Sequence, residues 1–472
     1  MNIDETIAPP QLQPQLDRLF TLAAQKVRLI DKTRDASQGA PVFTVEGKYT
    51  SKGWTEWTQG FQYGCAILAF DAAGDEELLQ LGRRNTLRHM APHVTHTGVH
   101  DHGFNNLSTY GNLRRLMREK RIPHNEWEQN FHELAIKASG AVQANRWSGV
   151  AVREPSPTSA GSTSLGYIYS FNGPHSLFVD TMRTLRILGL AWQLGHNLMH
   201  EGDRSADLLK RLVLHALCTN QYILFHGDSE HIYDLRGRTS HEAVFNRNDG
   251  SFRNRSTQQG YSPFSTWTRG LAWAMLGYAE QLEFLATIDE ARFASSVGLK
   301  KADVVKVFES AARATCDHYI EGCAARDGIA YWDDGAPGLG KMGDWHSRDA
   351  EPFNDHEPVD SSAGAIAAQG LLRLGRYLGG PSKKYSAAGF TIAKRLLSDD
   401  YLATDPNHQG LLLHSVYHRP NNWDYIPPGR KVPCGESSMW GDYHLLELGV
   451  YLDRLARGKL YLSFFDPKPD MG

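Results

Sequence analysis

The segment EWEQNFHELAIKASGAVQANR, residues 126–146, decides the fold class. Trp127, Phe131, Leu134, Ala135, Ala138 and Val142 recur along it at helical spacing, against Glu128, Glu133 and Lys137. Residues three and four apart share one face of a 3.6-residue helix, so the pattern predicts an amphipathic helix with that stripe turned inward. The stretch 299–321 repeats the pattern through Val304, Val307, Phe308, Ala311 and Cys316. Further helices are predicted over 14–31, 56–72, 75–91, 104–119, 175–196, 204–221, 266–286, 360–379, 384–399 and 436–456. The chain is therefore all-α with about twelve helices. A solenoid would repeat its sequence at a fixed period, and this chain does not. Six helix hairpins closed into a double ring fit better. Long stretches rich in Gly, Pro, Asn and Asp lie at 147–173, 226–264, 322–358 and 400–435. Connections of that length are usually functional, and they are expected to gather at one end as the mouth of a ligand site. No low-complexity linker divides the chain, so residues 1–472 are read as a single domain.

Composition excludes several classes. Against 53 acidic residues stand 50 Lys and Arg, a net charge of −3, so there is no basic field for nucleic acid or an anionic membrane. No apolar run is long enough to span a bilayer, and the start MNIDETIAPPQLQPQL has no basic or apolar leader region. The cysteines Cys65, Cys218, Cys316, Cys323 and Cys434 are odd in number and form no CxxC pair, which reads as reduced thiols in a cytoplasmic protein. Eleven Trp, 19 Tyr and 21 His lean toward carbohydrate, because the C–H faces of a sugar stack on aromatic planes.

The stretch HMAPHVTHTGVHDHGFNN, residues 89–106, holds five histidines and Asp101 within positions 89–102. His89, His93, His96 and His100 would stack on one face of a continuous helix, and zinc takes neutral imidazoles. Pro92 and Gly98 break that helix near Met90, and the HExxH geometry is absent. No metal is expected. Asp101 precedes a helix near Gly103, where an ordinary helix cap explains it on its own.

In YSFNGPHSLFVDTMRTLRILGLAW, residues 169–192, Asp180 lies among Leu177, Phe178, Leu185 and Leu188. A carboxyl on such a face is either desolvated for proton transfer or tied structurally to a loop, and the segment leaves both readings open. In TQQGYSPFSTWTRGLAWAMLGY, Ser265 is a cap candidate for a helix bearing Trp267, Arg269 and Trp273. These residues would stack a sugar and bind an anion, or else pack in the core with Arg269 on a buried acid. Trp54 and Trp57, and Trp440, Asp442 and Tyr443, are mouth or core on the same grounds.

Six ordered stretches, WTQGFQYG, HDHGF, FVDTMRTL, QGYSPFSTWTRGLAWAMLGYA, DSSAGAIAAQGLLRL and MWGDYHLLE, together resemble the unsaturated glucuronyl hydrolases, glycoside hydrolase family 88. The likeness runs from about residue 54 to 450. It implies a six-hairpin (α/α)6 barrel that removes a terminal 4,5-unsaturated uronic acid from lyase-generated oligosaccharides. In that family the vinyl ether is hydrated, and the anomeric carbon is not attacked. The resemblance places the acid/base on Asp180 and the second acidic residue on Asp101. Substrate contacts fall on Trp57, His100, His241, Gln259, Trp267, Arg269 and Trp273, with no cofactor or metal. The expected partner is an unsaturated oligosaccharide, with no nucleic acid or membrane, and the chain is read as a monomer or homodimer.

The chain departs from the family pattern around the cleft. SPF stands where an acidic residue is usual, 118–172 is long, and the loops at 338–358 and 404–435 are its own. A family aromatic upstream of the second aspartate has no clear counterpart, and Tyr167, Tyr169 and Phe171 are the candidates for its place. Three alternatives stay open: a rhamnogalacturonyl hydrolase, an inverting glycosidase on a saturated sugar, and a non-catalytic carbohydrate binder.

Overall fold

The computed structural model describes residues 1–53, 57–151, 165–380 and 383–467. Trp54 lies outside them. In chain order the helices begin with α1 (Gln13–Thr33), followed by the hairpin β1 (Pro41–Val45) and β2 (Lys48–Ser51). Then come α2 (Gln59–Ala73), α3 (Glu76–His89), the short α4 (Ala91–Thr95) and α5 (His102–Asn106). A π-helical turn, Leu107–Gly111, joins α5 to α6 (Asn112–Arg118), and α7 (Glu126–Asn145) follows. Beyond the strands β3 (Trp147–Gly149), β4 (Gly166–Ile168) and β5 (Ser176–Phe178) lies α8 (Thr181–Gln193). The hairpin β6 (Leu198–Met199) and β7 (Ser205–Ala206) precedes α9 (Leu208–Tyr222), then β8 (Glu242–Phe245) and β9 (Phe252–Ser256). The last helices are α10 (Thr268–Ala286), α11 (Glu290–Val297), α12 (Lys301–His318), α13 (Ser361–Leu378), α14 (Lys383–Leu396) and α15 (Met439–Ala456).

Packing sorts these helices into two rings. The run α5 to α6 packs on α2 and α8, α8 on α10, α10 on α13, α13 on α15, and α15 back on α2. That closes an inner ring of six. Around it α1, α3, α7, α9, α12 and α14 each pack on inner-ring members, in alternation along the chain. The fold is an (α/α)6 barrel. Burial follows from the layers: α8 is buried from Thr181 to Trp192 and α10 on nearly every residue, as helices walled on all sides must be. The strands make small antiparallel sheets, of which β5-β8-β9 is the largest.

Three expectations need correction. The helix predicted over 175–196 starts only at Thr181, because Ser176–Phe178 pair with Glu242–Val244 as a strand. The stripe read on α7 is also rotated: Trp127 is 87% exposed, Leu134 66% and Phe131 43%. The face turned inward is His132, Ala135, Ile136, Ser139, Gly140 and Gln143. Ala135, Ser139 and Gly140 keep that face small where α7 lies against α8. A Cβ on Gly140 would stand 2.7 Å from that of Ala191, so bulk is excluded where two helices approach this closely. Finally, Ser265 does not cap α10. Its N-cap position is Trp267, and the Ser265 hydroxyl bonds to Ser262 instead.

The barrel interior is not wholly apolar. Arg183 Nε lies 2.9 Å from Glu280 Oε2 and Arg183 Nη2 donates to Glu447 Oε2 at 2.8 Å, while Arg373 Nη1 donates to Glu283 at 2.7 Å. These ion pairs tie α8, α10, α13 and α15 together. Removing one partner would strand a buried charge, at a cost of about 3–5 kcal/mol. Asp442 belongs to the scaffold as well. It accepts the backbone N–H groups of Leu411 and Leu412 and the Tyr49 hydroxyl. Trp440 and Tyr443 are fully buried, and all five cysteines are buried and unpaired.

Candidate active site

The long loops precede inner helices, and the residues at those six N-termini meet. Trp57, just before α2, stacks on Trp440 in the first turn of α15 at 5.2 Å. Trp440 Nε1 donates to Ser362 at the start of α13, and Asp360 beside it accepts from Arg269 of α10 at 2.7 Å. Trp267 meets His241 edge-on at 4.9 Å, and His241 Nε2 lies 3.7 Å from Asp180 Oδ1 at the head of α8. An oxygen each of Asp180 and Asp101, at the head of α5, lie within 4.8 Å of one another. All six inner helices therefore point their N-termini at one mouth.

The two aspartates stand at matching places. Each occupies the N-cap position of its helix, and neither side chain caps it. The cap reading of Asp101 fails on that geometry, and Asp180 heads its helix instead of lying within it. What brings the two together is close helix packing. A Cβ on Gly103 would stand 2.6 Å from the Thr184 carbonyl oxygen, so only glycine lets α5 approach α8 this closely. Thr184 Oγ1 then donates to the His100 carbonyl at 2.8 Å. Both aspartates keep 8% exposure. Burial pushes the Asp180 carboxyl up to about 7, partly opposed by its own backbone N–H and by Arg269.

His241 is held in one tautomer. Its Nδ1 accepts the Gln258 backbone N–H at 2.9 Å, which leaves the proton of the neutral ring on Nε2, toward Asp180. Burial, with His418 and Arg269 nearby, holds its pKa down at about 3. Among the described residues, neither His241 Nε2 nor Asp180 Oδ1 has a hydrogen-bond partner. A buried donor and acceptor 3.7 Å apart form a pair that a ligand would complete.

The remaining predicted contacts divide. Gln259 Oε1 accepts from Arg269 Nη2 at 2.9 Å. Arg269 Nη1 also bonds Asp360 and the Val416 carbonyl, and Nη2 the Tyr417 carbonyl. Its guanidinium, between Trp267 and Trp440, thus spends its terminal N–H groups on protein oxygens. Trp273 is 1% exposed between Phe104 and His444, which makes it core. Trp267 is buried beside His241, whereas Trp57 is half-buried. His100 is buried 3.3 Å from Asp101, beneath Phe171 and Phe178. Of the three aromatics weighed upstream of Asp180, Tyr167 is buried and Arg146 covers Tyr169. Phe171, 53% exposed and stacked on His100, is the one placed at the mouth.

The other histidines of the cluster bond among themselves. His96 Nδ1 meets His102 Nε2 at 2.6 Å, while Asn105 reaches both His102 and His93. Burial lowers the pKa of His93, His96 and His102. His89 lies apart against Tyr63. His100, Asp101 and Asp180 offer one ligand atom each within 4.8 Å, a spacing that a cation would also accept. Gln258 and Asp333 had no part in the sequence reading, and only the fold brings them near the site.

No family model matches the chain. It is 24% identical over 428 residues to the unsaturated glucuronyl hydrolase of Bacillus sp. strain GL1, covering 88% of this chain and 90% of the relative. It is 24% identical over 458 residues to the unsaturated chondroitin disaccharide hydrolase of Streptococcus pyogenes serotype M1, covering 92% and 90%. In structure it resembles an unsaturated glucuronyl hydrolase specific for heparin, with a TM-score of 0.66 at 21% identity, over 94% of this chain and 97% of that one. With the six ordered motifs gathered at one mouth, the chain is similar over nearly its whole length to unsaturated glucuronyl hydrolases, and the structural likeness shows the barrel fold it has in common with them.

Proposed function

We propose that the chain, acting as one catalytic domain, hydrates the C4=C5 vinyl ether of a terminal unsaturated uronic acid on a lyase-generated oligosaccharide. The observation that carries this reading is the Asp180 carboxyl, buried at the mouth and pushed up to about 7. Near neutral pH such a group is part acid and part base, as it must be to give one proton and take another. Asp180 protonates C4, which leaves positive charge shared between C5 and the ring oxygen. Water then adds at C5 and returns its proton to Asp180. The hemiketal opens to a C5 ketone and frees the ring oxygen as a hydroxyl on C1, and the C1 hemiacetal so formed collapses to an aldehyde, releasing the next sugar with the original glycosidic oxygen. Asp101, beside His100, supports the charge that develops at C5. His241 Nε2–H stabilises ionised Asp180 between the two transfers.

An anionic substrate suits the mouth. Six helix N-termini turned to one centre make a positive field, whereas the Arg269 charge is already balanced by Asp360. Trp57, Trp267 and Phe171 offer faces for the sugar. The geometry disfavours an inverting glycosidase, whose carboxyls stand about 6.5–9.5 Å apart, against oxygens of Asp101 and Asp180 within 4.8 Å. A retaining pair at about 5–5.5 Å is the competitor that this spacing admits.

The relatives' names point to glycosaminoglycan fragments, and the unpaired cysteines to a cytoplasmic site of action. Among the described residues no helix is long and apolar enough to cross a membrane. The test is a panel of unsaturated disaccharides made by lyases from chondroitin, heparin and pectin, followed by the loss of ultraviolet absorbance. Loss with at least one substrate is expected. No loss with any, alongside cleavage of a saturated aryl glucuronide, would overturn the reading.

A further inference from the structure

The tautomer of His241 depends on a loop held by a buried carboxylate far from it in sequence. Asp333 Oδ2 accepts the Tyr261 backbone N–H at 2.8 Å, and its Oδ1 accepts the Gly335 N–H at 2.9 Å. Three residues before Tyr261, the Gln258 N–H meets His241 Nδ1. One residue before Gly260, the Gln259 amide meets Arg269. Asp334 fastens the far end of the same loop by accepting the Thr266 N–H at 2.6 Å, with Arg238 at 3.0 Å and His318 at 3.4 Å on its other oxygen. The segment bearing both aspartates also bridges Trp267 at the head of α10. Asp333 itself is fully buried.

We propose that Asp333 is a positioning residue for the site: by fixing the loop at Tyr261 it holds the Gln258 N–H on His241 Nδ1, and so keeps the Nε2–H of His241 turned to Asp180. The inference rests on the function proposed above only for its kinetic consequence. Each oxygen of Asp333 accepts one N–H, so an amide in its place would set an NH2 against an N–H and break one of the two bonds. With Gln258 displaced, the proton of the neutral ring is free to move to Nδ1, where it would leave a lone pair facing the Asp180 carboxylate. The charges around that pair are Asp101 and His100 from the segment before α5, Arg269 from α10 and His418 from the loop over the mouth. None of these touches His241 Nδ1 among the hydrogen bonds of the described residues.

The test needs no substrate for its first readout. Histidine labelled with nitrogen-15 is introduced into wild type and Asp333→Asn, with His241 assigned by the signal lost in His241→Gln. Wild type should show Nε2 protonated and Nδ1 bare, and Asp333→Asn should lose that pattern. On an active substrate, kcat should fall roughly tenfold to a hundredfold, as for a misplaced catalytic group, with KM nearly unchanged. Asp333→Ser, whose shorter side chain gives up the bond to the Tyr261 N–H, decides the matter if the amide variant fails to fold, and should show the same change. Asp442→Asn, which removes a comparable buried carboxylate from the scaffold, should leave the His241 pattern intact. An unchanged His241 pattern in a folded Asp333 variant overturns the proposal, even if stability or turnover drops. Absence of turnover in wild type would count against the proposed function alone, since the spectrum still decides the positioning.

Discussion

Replacing Asp180 by asparagine should make the protein more stable and nearly inactive, with a stability gain that depends on pH. The gap between about 7 in the fold and 3.8 for a free aspartate corresponds to about 4 kcal/mol, at 1.36 kcal/mol per pH unit. The sign follows from proton binding. Between about pH 4 and 7 the folded state holds a proton that the unfolded chain has lost, so wild-type stability falls as pH rises through that window. Below pH 4 both states are protonated and the term vanishes. Above pH 7 the full penalty of a buried carboxylate remains. Asparagine carries no charge at any pH, so the variant escapes the penalty. Its advantage should be near zero at pH 4, grow to pH 7 and level off at about 2–4 kcal/mol, if part of the full value is lost to relaxation. For a chain of 472 residues, that is a rise of about 2–4 °C in melting temperature. The assay is paired thermal melts from pH 4 to 9, with turnover measured on the same preparations. Turnover should fall by about 10²–10⁴-fold, the usual worth of a general acid and base. A melting difference flat across pH, or turnover within tenfold of wild type, would refute the role given to Asp180.

Other consequences follow from the same geometry. Gly103→Ala should cost activity by more than about tenfold with the barrel intact by circular dichroism, because the new methyl would stand 2.6 Å from the Thr184 carbonyl and displace Asp101 from Asp180. Retained activity would show that the close approach of α5 and α8 does not set the pair. Phe171→Ala should raise KM with little change in kcat, since that ring is 53% exposed at the mouth and stacked on His100. A kcat effect alone would contradict its role as a sugar-stacking face. Prolonged chelation and desalting should leave turnover unchanged. Loss restored by one equivalent of zinc would give His100, Asp101 and Asp180 to a metal instead.

The ring of helices was legible because apolar periodicity marks a helix whether it is amphipathic or buried on all sides. The orientation of a helix was less so. On α7 the aromatic stripe looked inward, yet close packing against α8 gives that face to Ala135, Ser139 and Gly140 and leaves Trp127 in solvent. The sequence shows residue size but not the distance to a neighbour. Arg183, Arg186, Glu280 and Glu447 were unreadable for a related reason. Charged side chains read as solvated until the closed ring brings them together. Asp101 and Asp180 were found through motif resemblance, because each alone has an adequate structural explanation. Only the structure weighs against it, by showing that Asp101 does not cap its helix and that, among the described residues, Asp180 Oδ1 has no hydrogen-bond partner. Gln258 and Asp333 carried no signal, since their effect on His241 passes through backbone N–H groups.

The most direct measurement is isotope placement during turnover. In deuterium oxide, hydration puts deuterium at C4 of the released keto acid, because Asp180 exchanges its proton with solvent before giving it to C4. In heavy-oxygen water the label enters at C5, the glycosidic oxygen leaves on the sugar, and a saturated aryl glucuronide stays intact. Cleavage of that glucuronide with no deuterium at C4 would contradict hydration, and would make the carboxyl pair a glycosidase acting at the anomeric carbon.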